Sequence, residues 1–239
     1  MNLCWHFRLS SSSSLQPWDF TSGPPPLEAL HRVRIPVSSA LSNHVPAGAY
    51  SHVMGSHLRV ESGLEHDLVR VLDRYPDTRI LVSQPAELTW PGSSRGRSHV
   101  PDLLSCDDRG QVTVWDARPE HRQDAKFLEA ADVTRNACRA VGWEYRIFAG
   151  LETVERLNLL WLHRFRRPLE WIASSQPVLD EALRGGDRSL AELRDLDAGD
   201  GRLIAALWHL LWKGHFHIDL KAEFRLHSLV SLSRGREAS

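Results

Sequence analysis

The sequence predicts a mixed α/β protein in which strands and helices alternate through the middle of the chain. Apolar residues recur at helical spacing over 63–74 and 124–141, whereas short runs after residue 78 alternate apolar and polar side chains. The length of 239 residues is enough for one ordinary domain and a smaller one. An apolar fraction of 42% with nine tryptophans supplies the side chains for their cores.

The predicted α/β domain covers residues 51–168 and begins with an amphipathic helix over 63–74. Leu64, Leu68 and Leu72 repeat there at helical spacing. Strands are predicted at 79–84, 102–105, 111–116 and 143–148, the second and third of them joined by a turn-rich segment. Further helices are predicted at 124–141, which Gly142 terminates, and at 152–165.

The two ends of the chain differ from this domain. Residues 1–50 are rich in Ser and Pro, which predicts a poorly ordered leader. Residues 169–239 predict a smaller helical domain that ends in a β-hairpin, with helices at 176–184, 189–195 and 201–213 and hairpin strands at 215–219 and 226–232. Three helices followed by a β-wing indicate a winged-helix-like domain.

Charge and cysteine content narrow the function classes. With 29 basic and 30 acidic residues, no overall field attracts the chain to DNA, so nucleic-acid binding requires a local basic patch or a partner. The three cysteines are isolated and odd in number, so the sequence supports neither a disulfide framework nor a structural zinc site, which fits a reducing, cytoplasmic location. Apolar runs stay well below the roughly 18 residues that a membrane span requires, so no membrane partner is expected.

Two aspartates carry the strongest chemical signal. Asp102 and Asp116 lie on predicted antiparallel strands, and a turn centred near Arg109 places them nearly opposite each other. Paired carboxylates roughly 5 Å apart repel, and a bound cation such as Mg²⁺ removes that repulsion. Arg118, two residues beyond Asp116, shares its strand face by alternation and can stabilise charge on a phosphate.

A third acid, Glu65, has two open interpretations. It stands at the start of the first helix, where it could reach the same sheet edge as a metal ligand. However, Ser62 followed by Glu65 also matches a capping box, in which the glutamate folds back on the helix start. Ordinary alternatives remain for the aspartates as well, with Asp102 as a solvated strand-end acid and Asp116 as a charged edge residue.

Five sequence motifs, taken in chain order, resemble those of a known protein family. Five motifs occur with sensible spacing over about residues 50–170, roughly half the chain: Ser62-x-x-Glu65, Gln84-Pro85, His99-Val100-Pro101-Asp102-Leu103-Leu104, Val114-Trp115-Asp116-Ala117-Arg118-Pro119 and Gly142-Trp143-Glu144-Tyr145. Together they resemble the TnsA-like endonuclease subunits of Tn7-like heteromeric transposases, particularly the actinobacterial type.

The resemblance implies a fold, a site and partners. It implies a restriction-endonuclease-like PD-(D/E)xK core, with Glu65, Asp102 and Asp116 holding Mg²⁺, for which Mn²⁺ is a possible substitute. Such a subunit cleaves the 5′ ends of the transposon, alongside a DDE transposase (TnsB-like) that acts on the 3′ ends and an AAA+ ATPase (TnsC-like) that regulates target choice. The expected location is therefore the bacterial cytoplasm, in association with the nucleoid.

One departure from the family pattern opens an alternative function. Arg118 occupies the place of the catalytic lysine, and a guanidinium stays charged and cannot act as a base. Lys126, one turn into the following helix, could replace it, or it could simply be a surface lysine. The alternative function is a catalytically silent scaffold that bridges the DDE transposase and the AAA+ ATPase. A stand-alone restriction-like nuclease is a third hypothesis, which the balanced charge disfavours.

Overall fold

The computed structural model describes residues 3–11, 13–34, 47–91 and 97–233. These residues form a mixed α/β structure with four β-sheets and six α-helices, which confirms the predicted class. The chain divides into two compact units. The first contains residues 1–73 and 77–150, and the second contains 74–76 and 151–239.

The first unit contains ten strands and two α-helices among its described residues. In chain order they are β1 (Cys4–Phe7), β2 (Gln16–Trp18), β3 (Ala47–Ser51), β4 (Ser56–Val60), α1 (Gly63–Arg74), β5 (Thr78–Ser83), β6 (Ala86–Trp90), β7 (Arg97–His99), β8 (Leu103–Asp107), β9 (Val112–Ala117), α2 (Ala125–Ala140) and β10 (Glu144–Phe148). The predicted helices and strands of this region are all present, and their ends shift by only a few residues.

A central sheet in the order β10-β9-β8-β5 organises this unit. Strands β5, β8 and β9 are antiparallel, and β10 lies parallel to β9. A parallel pair requires a crossover connection, which α2 provides. In the β8–β9 pair Leu103 is opposite Trp115, so the register predicted from a turn near Arg109 is confirmed.

The expectation of a poorly ordered leader is wrong for the described residues before 35. Strand β1 pairs with β2 on one side and with β6 on the other, within a sheet of order β2-β1-β6-β7. Trp5 and Phe7 are buried and contact Trp143, with ring centroids 5.8 and 6.3 Å apart. Burial of these aromatic rings stabilises β1. The sequence did not predict this strand, because the residues around it are rich in Ser and Pro. Residues 35–46 of the expected leader lie outside the described residues.

The two helices of the first unit pack through apolar faces and have regular ends. Helix α1 buries Leu68, Val69 and Leu72. At the start of α2, the Asp124 carboxylate accepts a hydrogen bond from the Phe127 backbone N–H at 2.8 Å, a normal N-cap. Gly142 follows this helix with φ +76°, a left-handed conformation that glycine adopts without steric cost, as predicted.

The second unit has its own core. Its elements are α3 (Thr153–His163), α4 (Ile172–Arg184), β11 (Arg188–Ser189), α5 (Leu190–Arg194), α6 (Arg202–Trp212), β12 (Phe216–Ile218) and β13 (Leu229–Leu232). The predicted three helices and terminal hairpin are confirmed, and β11 adds a third strand in the order β11-β13-β12. Because Leu162 of α3 packs in this core, the observed boundary falls at 150/151 rather than the expected 168/169.

None of the helices in the described ranges has the length and apolar character that a bilayer crossing requires.

Candidate active site

A cleft of about 1150 Å³ lies in the first unit, at the end of the central sheet where β8 begins and β9 ends. All four predicted site residues line it: Glu65, Asp102, Asp116 and Arg118. His99, from the third sequence motif, and Lys126, the possible replacement for the catalytic lysine, line it as well. The folded chain therefore brings together residues from α1, from the β8–β9 hairpin and from the start of α2.

Backbone hydrogen bonds fix Asp102 immediately before β8. Its N–H donates to the Trp115 carbonyl at 3.0 Å, and its own carbonyl accepts from the Gln84 N–H at 2.9 Å. Its Oδ2 accepts from the Ala117 N–H at 2.8 Å. Gln84 is buried and has φ +48°, a backbone conformation that is uncommon for a residue other than glycine. A polar side chain at the end of a strand is usually solvated, but the Gln84 side chain is buried.

The electrostatic environment of Asp102 is unfavourable for a negative charge. Its pKa is raised to about 8, mainly by burial and further by the nearby carboxylates of Asp116 and Glu65. The hydrogen bond from Ala117 and the positive charge of Arg34 act in the opposite direction. Such a group is not a solvated strand-end acid. A carboxyl that is hard to ionise beside other carboxyls is typical of functional sites.

Asp116, near the end of β9, is 2% exposed. Its Oδ2 accepts hydrogen bonds from His99 Nε2 at 2.8 Å and from the Tyr145 hydroxyl. Burial and the charge of Asp116 raise the pKa of Tyr145 above its usual range, so this hydroxyl stays protonated and donates. Tyr145 entered the sequence argument only as part of the last motif, because its contact with Asp116 depends on the parallel pairing of β10 with β9.

In the described structure Glu65 folds back on the start of α1, as the capping interpretation predicted, and it also lines the cleft. Its Oε2 accepts from the Glu61 N–H and its Oε1 from the Ser62 hydroxyl, both at 2.8 Å. The Ser62 hydroxyl in turn accepts from the Glu65 N–H at 3.1 Å. Burial raises the pKa of Glu65, and the two accepted hydrogen bonds oppose that rise. A metal-ligand role would depend on the remaining lone pairs of these oxygens.

Arg118 lies in the cleft but contacts neither aspartate among the described interactions. Its Nε donates to the Arg122 carbonyl at 2.8 Å, and its guanidinium carbon lies 5.3 Å from the centroid of the Phe127 ring. Strand β9 ends at Ala117, one residue before it. Alternation along the strand predicted that Arg118 and Asp116 share one face. Among the described interactions, the two side chains do not contact each other.

Arg34 is the site residue that sequence reasoning missed. It lines the cleft, its Nη1 lies 3.1 Å from Glu61 Oε2, and its charge lowers the pKa of both Asp102 and Glu65. No motif marked it, because it lies inside the segment expected to be poorly ordered. The pairing of the Val33 N–H with the Gln84 carbonyl at 2.9 Å places it beside the sheet.

The carboxylates partly fit the Mg²⁺ site that the resemblance implies. Among the described residues, no group of three or more His, Cys, Asp and Glu is arranged to hold a metal ion. The described hydrogen bonds of Asp102 and Asp116 nevertheless use Oδ2 alone, which leaves Oδ1 of each as a potential ligand. Mg²⁺ commonly takes one or two carboxylates and completes its shell with water and phosphate oxygens. The aspartate pair therefore fits such an ion, whereas Glu65 is engaged at the helix start.

Comparisons with known proteins do not place the chain in a family. The sequence matches no protein-family model, and no curated protein shows significant similarity to it. The resemblance to TnsA-like subunits thus rests on the five ordered sequence motifs alone.

Proposed function

We propose that this protein is a Mg²⁺-dependent DNA endonuclease, the TnsA-like subunit of a heteromeric transposase that cleaves the 5′ ends of the transposon. The observation that carries the proposal is the juxtaposition of Asp102 and Asp116 in the cleft, at facing positions of the β8–β9 hairpin. Burial and the second carboxylate keep the pKa of Asp102 near 8. The proposal includes a restriction-endonuclease-like PD-(D/E)xK core for the first unit and a winged-helix-like character for the second.

The aspartate pair would hold the ion. When bound, Mg²⁺ would supply Lewis acidity toward the scissile phosphate and a water molecule. The Ala117 N–H orients the Asp102 carboxylate, and His99 and Tyr145 orient that of Asp116, so that Oδ1 of each aspartate remains for the ion. Ligands fixed in this way by surrounding hydrogen bonds lose little freedom on binding.

The positive side chains of the cleft would offset phosphate charge. Arg118 is anchored on the Arg122 carbonyl and the Phe127 ring, which fixes the place of its guanidinium. Arg34 and Lys126 line the same cleft. A fixed positive charge next to a phosphate stabilises the charge that develops during hydrolysis. Arginine supplies this electrostatic effect as well as lysine does, although it cannot accept a proton.

Partners form part of the proposal. With 29 basic and 30 acidic residues, the chain has no overall positive field. A DDE transposase that recognises transposon-end DNA would therefore supply the sequence specificity, and an AAA+ ATPase would regulate the pair. This assembly would act in the bacterial cytoplasm, in association with the nucleoid.

The decisive experiment is cleavage of labelled transposon-end DNA by the purified chain with its transposase partner in Mg²⁺. Wild type is expected to cut the 5′ ends, and Asp116→Asn is expected to lose at least about a hundredfold in rate, since the ligand charge is removed. Asp107→Asn is the matched control, because Asp107 lies at the other end of the same hairpin and its carboxylate only stabilises the turn. Undiminished cutting by Asp116→Asn would overturn the proposed site.

A catalytically silent scaffold is the second candidate. The anchoring of Arg118 favours it, because a guanidinium held by a carbonyl and an aromatic ring has little freedom to replace a mobile lysine amine. In this case wild type would not cut even with its partners, whereas Arg118→Lys would. If wild type cuts and Arg118→Lys gives no increase, the scaffold hypothesis fails.

A further inference from the structure

A second cavity in the first unit, of about 530 Å³, has four Arg and His side chains in a lining that is otherwise mostly apolar. Arg32 and Arg59 lie in its wall together with His31 and His57. Among the described residues that line it, Glu28 is the one acid. Neither the proposed cleavage reaction nor the sequence motifs account for this concentration of cations.

The hairpin of β3 and β4 forms one side of this cavity. His57 and Arg59 are two residues apart on β4, so they project from the same strand face. Gly48 lies opposite Arg59 in the register, and a side chain added at Gly48 would come within 3.3 Å of the His57 ring. The glycine therefore leaves space in which the imidazole approaches the strand.

The two arginines of the cavity have no acidic partner within salt-bridge distance among the described residues. The Arg32 Nε instead donates to the Arg34 carbonyl at 2.6 Å. Elsewhere in the same unit, Arg79 and Arg146 do have carboxylate partners, at 3.4 and 2.8 Å. Burial lowers the pKa of Arg32, and the positive charges of Arg59 and Arg8 add to this, with Glu61 opposing. Two cations that destabilise each other form a site that an anion would stabilise.

We infer that this cavity binds phosphate groups through Arg32 and Arg59. If the proposed nuclease function holds, on which this assignment rests, the natural source is the backbone of the DNA substrate. The hydrogen bond from Arg32 to Arg34 connects the two sites along the chain, since Arg34 lines the carboxylate cleft. A guanidinium matches the geometry of a phosphate and can bind it through two parallel hydrogen bonds.

The test measures DNA binding without cleavage. A fluorescent duplex is titrated in EDTA, at salt concentrations between about 50 and 200 mM. The double variant Arg32→Gln with Arg59→Gln is compared with Arg79→Gln combined with Arg146→Gln. This control removes the same net charge from exposed, already paired arginines of the same unit.

Loss of two phosphate contacts is expected to reduce the slope of log K against log salt by roughly 2 and to weaken binding by up to roughly 60-fold at about 0.1 M salt. The control is expected to change the slope far less. Equal slopes and affinities for the two double variants would overturn the assignment of DNA phosphates. Because EDTA prevents cleavage, this result is independent of whether Asp116 supports cutting.

A second arm separates DNA from a small phosphate compound. Inorganic phosphate is added to wild type and to the Arg32→Gln, Arg59→Gln variant while thermal unfolding is followed. Stabilisation of wild type alone, with equal duplex affinity in both, would assign the cavity to a small phosphate compound instead. If neither duplex affinity nor phosphate stabilisation differs, the cavity is no phosphate site and the inference fails.

Discussion

Asp102→Asn offers the sharpest test of the electrostatic reasoning. Asparagine keeps the shape of the side chain and removes its ability to ionise. In wild type, the pKa of Asp102 is about 8 in the folded protein against an ordinary value of 3.8. The folded state therefore binds the proton more tightly than the unfolded state. The contribution of this group to stability is fully present below about pH 3.8 and is lost as pH rises toward about pH 8.

The expected change in stability follows from the difference between the folded and ordinary pKa values of Asp102. Roughly four pH units at about 1.4 kcal/mol each set an upper limit of about 6 kcal/mol, and relaxation of the site with water entry reduces the expected loss to about 2–3 kcal/mol. Without divalent ions, Asp102→Asn should therefore become more stable than wild type as pH rises, and the two should converge in acid. Mg²⁺ at tenfold its Kd should add about 1.4 kcal/mol to wild type and nothing to the variant.

Urea unfolding in EDTA between about pH 5 and pH 9 measures this difference, and hydrogen exchange of peptides from β8 and β9 restricts the measurement to the first unit. Cleavage of transposon-end DNA by Asp102→Asn should be lost under conditions where its stability is raised. Parallel stability curves for the two proteins would show that Asp102 ionises normally in the fold. That result would contradict the proposed coupling of Asp102 with the buried Asp116 carboxylate.

Three further changes test other parts of the structure. Tyr145→Phe removes a hydroxyl that donates to Asp116, which should lower the free energy of unfolding by about 1–3 kcal/mol at neutral pH, measured by urea unfolding, and should slow cutting; unchanged stability would contradict the bond. Phe7→Ala should cost about 3–5 kcal/mol in the same assay, since the ring is fully buried, whereas a disordered leader would show no loss. Ser62→Ala should cost about 1 kcal/mol through the lost N-cap of α1 and leave cutting nearly intact; strong loss of cutting would show that the Ser62–Glu65 contact serves the reaction.

The sequence was most informative where the relevant contacts are local. Asp102 and Asp116 lie on one hairpin, so their spacing and an intervening turn were enough to predict the register. The end of the helix at Gly142 was likewise predicted from a local signal, and the predicted start at residue 124 coincides with the observed N-cap, Asp124. Here a pattern in the chain directly determines the geometry.

The strand near the N-terminus could not be predicted from local sequence signals. Strand β1 pairs with β6, about 80 residues later in the chain, and local composition carries no signal of that partner. Trp5 and Phe7 alternate along β1 in the manner of a strand, but the Ser- and Pro-rich residues that follow dominated the interpretation. Arg34 was missed for the same reason, although it lines the cleft.

Periodicity and short-range hydrogen bonding are local properties of the chain, so the mixed α/β class, the aspartate hairpin and the helix starts could be predicted from the sequence. The residues that surround the aspartates could not be predicted in the same way, because they come from segments that meet only in the folded protein. Tyr145 reaches Asp116 through the parallel pairing of β10 with β9, and Arg34 reaches the cleft through the Val33–Gln84 hydrogen bond. The Glu65 carboxylate raises the pKa of Asp102 and also accepts hydrogen bonds at the start of its own helix. These contacts join segments distant in sequence, and burial, which raises the pKa of Asp102, exists only once those segments have packed together.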